Sequence, residues 1–104
     1  MATTRRYSEK LHSAIYALAV REGDVRSRLE GAYFYLRQLS ERDVPATARE
    51  EFFYLVNALT RAGPDRSPDG EVYRSAVSNT LRNIQNRTAR RYAERLFALY
   101  RELR

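Results

Sequence analysis

Glycine and proline cut this chain at a few defined places, and between the cuts the apolar residues recur every three or four positions. That combination constrains the fold more than any other feature. Glycine suits the left-handed residue just past a helix end, and a following Asp suits the amino-terminal cap of the next helix. Gly23-Asp24 therefore reads as a stop followed by a start. Gly63-Pro64 reads as a second stop. Ser67-Pro68-Asp69 reads as a start, with Ser as cap, Pro in the first turn and an acid facing the positive helix end. Pro45 marks another first turn, and Thr47 to Glu50 has the pattern of a capping box.

Between these marks the period is helical. Leu11, Ala14, Ile15 and Leu18 form one stripe. Val25, Leu29, Ala32, Tyr33, Leu36 and Leu39 form a second, and Ala48, Phe52, Leu55, Val56 and Leu59 a third. Val72, Tyr73, Ala76, Val77, Thr80, Leu81 and Ile84 read as one further helix, and Ala89, Tyr92, Ala93, Leu96, Phe97, Tyr100 and Leu103 as another. Asn83 to Asn86 lies between these two, and Asn is a weak helix former and a good cap. No segment alternates strictly over five residues, so no strand is expected.

The expectation is an all-α fold, a compact bundle in one domain over 1–104. Its helices should lie near 7–22, 24–41, 45–62, 68–83 and 87–103, with Asn86 capping the last. The alternative is four helices, with the last two continuous. Leu29, Leu36, Phe52, Leu55, Leu59, Leu81, Leu96 and Phe97 are the expected core.

Composition narrows the function. There is no cysteine, which excludes disulfides, thiolate metal sites and cysteine nucleophiles and fits a cytoplasmic protein. The one histidine, His12, follows Glu9 and lies one turn before Tyr16. Either could orient it for acid–base work, but a lone histidine beside an apolar stripe is more often a half-exposed surface residue. Asp65, Asp69, Gly70 and Glu71 are acidic enough to suggest a cation loop. Their spacing is wrong for calcium, and turn plus helix cap is the better reading. Asn86-Arg-Thr88 matches a glycosylation acceptor, a triplet frequent by chance.

Arg5, Arg6 and Lys10 precede an apolar run over 11–20, in the manner of a signal peptide. The run carries His12, Ser13 and Tyr16 and works as one helix face, which opposes that reading. No run approaches a membrane span. No catalytic motif, metal site or nucleotide loop is present, so no enzyme activity, cofactor or small-molecule substrate is expected.

Two features remain. The chain carries eight tyrosines, with dense clusters at Tyr33-Phe34-Tyr35 and Phe52-Phe53-Tyr54. A helix cannot hide three consecutive residues on one narrow stripe. Phe34, Tyr35, Phe53 and Tyr54 are thus candidates for a partner surface, weighed equally against a wide core face.

The formal charge is +6, and residues 72–104, with eight arginines against two glutamates, hold the whole excess. Arg87, Arg91 and Arg95 repeat every four residues, with Arg90 beside them and Arg82 upstream. Together they are candidates for binding phosphate or an acidic partner, against the commoner reading of a solvated face. The reading that follows is a non-catalytic helical interaction module whose partner is another protein or a second copy. The alternative is nucleic-acid binding without base reading, through phosphate contacts from those arginines.

Overall fold

A computed structural model describes residues 2–103. Its five helices are α1 (Ala2–Val20), α2 (Val25–Leu36), α3 (Arg49–Leu59), α4 (Ala76–Arg82) and α5 (Asn86–Arg101). The fold is a small all-α bundle with one minor addition, a two-stranded antiparallel sheet of β1 (Asp65–Arg66) and β2 (Val72–Arg74). Helix α1 packs most extensively on α2, α5 lies across α1, α2 and α3, and α4 bridges α2 and α3.

The first junction follows its sequence. Gly23 has φ +101°, and a Cβ there would lie 2.9 Å from that of Ser27. The Asp24 carboxylate accepts from the Ser27 amide at 3.1 Å and caps α2. The next two boundaries differ from expectation. Helix α2 ends at Leu36, not near 41, because the chain tightens: the amides of Gln38 and Leu39 donate three residues back, to Tyr35 and Leu36. The amide and hydroxyl of Ser40 then both donate to the Asp43 carboxylate, which fixes a 3-10 turn over Glu41–Asp43. A second 3-10 turn, Ala46–Ala48, precedes α3. Thr47 lies inside that turn and caps nothing; the N-cap of α3 is Ala48, which makes no side-chain bond.

The largest correction is at 65–75. Ser67-Pro68-Asp69 starts no helix. It is the tip of a hairpin, in which the Gly70 amide donates to Ser67 O and the Ser67 amide to Glu71 O, both at 2.8 Å. Gly70 takes φ +92° to close that turn. Val72 and Tyr73 are therefore strand residues, and both are exposed. Helix α4 starts eight residues later than the sequence suggested, capped by the Ser75 hydroxyl, which accepts from the Ser78 amide at 3.2 Å. It is separate from α5, as the five-helix reading expected. The cap position of α5 is Gln85, and Asn86 is the first helical residue instead of the cap.

One hydrophobic cluster joins all five helices. Leu29, Leu36, Phe52, Leu55, Leu59, Leu81 and Leu96 are buried in it, as expected. Phe97 is not: it is 46% exposed, and Leu99, 3% exposed, takes the inward place. Successive residues turn by about 100° around a helix. The inward stripe of α5 is Ala89, Leu96 and Leu99, which leaves Phe97 on a flank. Tyr7, Leu11, Leu39, Val44 and Val77 are buried in the same core. No helix among the described residues is long and apolar enough to cross a membrane.

Candidate functional site

The arginine-bearing segment separates into engaged and unengaged groups. Arg95 is engaged. Its Nε and Nη2 donate to the two carboxylate oxygens of Glu51 on α3, at 2.7 and 2.8 Å. Its guanidinium also stacks over the Tyr54 ring at 4.2 Å. The bidentate bond holds the Glu51 carboxyl below its usual range and raises Arg95 further. The three-arginine line read from the sequence therefore ends at Arg91. Glu51 and Arg95 stand 44 residues apart, and no local pattern announces such a pair.

Arg87, Arg90 and Arg91 are exposed on the outer face of α5, and Arg82 is exposed at the end of α4. Among the described residues none of these four has a carboxylate within ion-pair distance. The face continues through Glu94 and Ala98 to Arg101, all exposed. Phe97 stands beside Ala98. A shallow depression is lined there by Arg90, Ala93, Glu94, Phe97, Ala98 and Arg101. The outer face of α5 is thus cationic over its first half and apolar over part of its second.

The four candidate aromatics occupy two places. Phe34 is 51% exposed, set edge-on to Tyr35 at 5.3 Å, with the Arg37 guanidinium 5.0 Å from its ring centre. It lines a depression with Ser75 and Val77 at the start of α4. Tyr54 is 48% exposed and lies under Arg95. Tyr35 and Phe53 are half-buried against the core, Phe53 edge-on to Phe52 at 5.0 Å. Sequence reasoning passed over three exposed rings: Tyr16, Tyr73 and Phe97. The signal for Phe97 was the competing Leu99, one choice of helix phase away.

His12 finds a partner that its sequence neighbours did not suggest. Its Nδ1 lies 3.3 Å from the Tyr100 hydroxyl on α5, in an open notch with Ser8, Glu9, Ser13 and Arg101. Tyr16 points to solvent instead. The pair joins α1 to α5 at the surface.

The acidic loop works as turn chemistry. Asp65 pairs with Arg74 across the hairpin at 2.9 Å, and Asp69 accepts from the Ser67 hydroxyl and the Glu71 amide. Among the described residues no group of three His, Asp or Glu side chains is placed to hold a metal. No known protein family, curated protein or solved structure matches the chain.

Proposed function

We propose that the protein is a non-catalytic helical interaction module that binds another protein through the outer face of α5. One observation carries this reading. Among the described residues Arg87, Arg90 and Arg91 have no ion-pair partner, and they share a helix face with the exposed apolar surface of Phe97 and Ala98. Arginine and aromatic side chains are the types that protein interfaces favour. Phe34 and Tyr54 extend the reading to α2 and α3, where a homo-oligomeric contact is the alternative form.

Matched affinity capture tests it, with wild type and an Arg90→Glu/Arg91→Glu/Phe97→Ala variant as baits. The expected outcome is a protein held by wild type, lost from the variant and indifferent to nuclease. Identical captures from both baits, or only nuclease-sensitive material, would reject it. Light scattering across a concentration series tests the homo-oligomeric form.

A second reading is favoured by the same unpaired arginines: contact with a nucleic-acid backbone, without base reading. With Arg95 tied to Glu51, Arg82, Arg87, Arg90 and Arg91 are the groups that carry it. Neutralising about two or three phosphates predicts a log–log salt slope of roughly −2 to −3.

A further inference from the structure

The outer face of α5 opens on a cation, Arg87, where the helix itself opposes one. The first turn of α5 contains no acid, and the Gln85 side chain donates or accepts no capping bond. The aligned peptide dipoles make that end positive, so Asp or Glu is favoured there and Arg is not. Arg87 and Arg91 also stand one turn apart, a like-charge spacing that costs a little more. Arg87, Arg90 and Arg91 are exposed and without ion-pair partners among the described residues, so no ion pair there offsets either cost. An external carboxylate would offset both.

The rest of the face limits what carries those carboxylates. Past Arg91 comes Glu94, which repels any anion, and then Arg95, already neutralised by Glu51. The uninterrupted cationic stretch thus runs from Arg87 to Arg91, about 6 Å of helix axis. Beyond it the surface is apolar at Phe97 and Ala98, between Glu94 and Arg101. Ala98 is small enough to let another helix approach closely, and Phe97 and Arg101 line the depression with it. From Arg87 to Arg101 the face extends about 21 Å, the length of a partner helix of roughly four turns.

We infer that this face docks an acidic amphipathic helix of a partner protein. The carboxylates of that helix pair with Arg87, Arg90 and Arg91, and one large apolar side chain seats over Ala98 beside Phe97. The inference rests on the interaction-module reading and specifies its occupant. Charge complementarity selects the acidic end of the ligand, and the apolar patch selects a folded helix over a bare polyanion.

Fluorescence anisotropy with three labelled probes tests it. The first is a helix-forming peptide of about 16 residues. It carries glutamates at i, i+3 and i+4 and leucine at i+11, the offset that separates Arg87 from Ala98. The second is the same peptide with its leucine replaced by glutamine. The third is a single-stranded oligothymidine of similar charge. The first probe should bind tightest, and binding should weaken as salt rises. The glutamine probe should bind at least about fivefold more weakly. Arg90→Glu/Arg91→Glu should lose at least about tenfold and Phe97→Ala about fivefold for the first probe, with the far-ultraviolet helical signal unchanged. No binding of the first probe, or binding that ignores these substitutions, would overturn the assignment of the occupant and leave the module reading to the capture experiment. Oligothymidine binding tighter than the peptide would overturn both in favour of nucleic acid.

Discussion

Tyr7 is 2% exposed, its ring edge-on to Phe52 at 6.0 Å, and its hydroxyl is enclosed without a hydrogen-bond partner among the described residues. Burial pushes that hydroxyl up to about 12, and the Glu102 carboxylate adds to the rise. A buried unsatisfied hydroxyl costs about 1–3 kcal/mol, so Tyr7→Phe should leave stability unchanged or raise it by about 1 kcal/mol. The same group governs alkaline behaviour. A tyrosine whose folded value exceeds the unfolded one binds its proton more tightly when folded. Its contribution is present below pH 10 and is lost as pH climbs from 10 toward 12. Denaturant midpoints for wild type should fall across that window more steeply than those for Tyr7→Phe. Parallel curves would place the hydroxyl in water. One residue's step around α5 makes a second contrast, between neighbours. Leu96 is fully buried and Phe97 is 46% exposed. Leu96→Ala should cost about 2–5 kcal/mol, whereas Phe97→Ala should change stability by no more than about 0.5–1 kcal/mol. Equal losses in urea unfolding would show that the helix is rotated from the phase described.

At the scale of elements, the start of α4 separates two serines that look alike in sequence. The Ser75 hydroxyl caps α4, while Ser67 holds the hairpin tip. Ser75→Ala should therefore cost about 1 kcal/mol and Ser67→Ala should leave the helical circular dichroism signal intact. Loss of helix from the Ser67 variant would restore a start near residue 67. The hairpin was readable, but by a different rule from the one that finds helices. Ser67-Pro68-Asp69-Gly70 satisfies both the helix-start pattern and the Pro-Asp-Gly turn pattern. Gly70 decides between them, since its φ of +92° lies outside any right-handed helix. The two strands are too short for alternation to register, which is why periodicity missed them. Stops at Gly23 and the break before Asn86 were legible because each depends on residues within one turn. The engagement of Arg95 was not, because a pair between α3 and α5 is fixed only once both helices are packed. The candidate surface shared that limit: its arginine spacing is local, but which arginines remain unpaired is tertiary.

Over the whole molecule, carboxylates serve as ties between elements. Asp24 caps α2, Asp43 gathers the turn after α2 and meets Arg6 of α1 at 3.4 Å, and Glu51 joins α3 to α5. Asp65 pairs across the hairpin with Arg74, and Asp69 shapes its tip. All five are held below their ordinary values. Backbone amides lead for Asp24 and Asp43, and side-chain donors lead for Glu51, Asp65 and Asp69. A depressed folded value means that the unfolded chain binds the proton first. The stability these groups supply is therefore present above the ordinary carboxylate range and is lost as pH falls through the folded values. Charge acts in the same direction. Protonation removes the acids that balance 19 basic side chains, so the net charge climbs from +6. Self-repulsion then adds to the loss of the ties. Stability measured by urea unfolding should hold level from pH 7 to about 5 and decline steeply below 4, with added salt recovering the repulsive part only. Glu51→Gln should flatten part of that decline and loosen α3 from α5, read as faster hydrogen exchange along both helices. A pH profile that stays level to pH 2, or a Glu51→Gln variant that follows wild type throughout, would mean that these ion pairs are surface ornaments and that apolar packing alone sets the arrangement of the bundle.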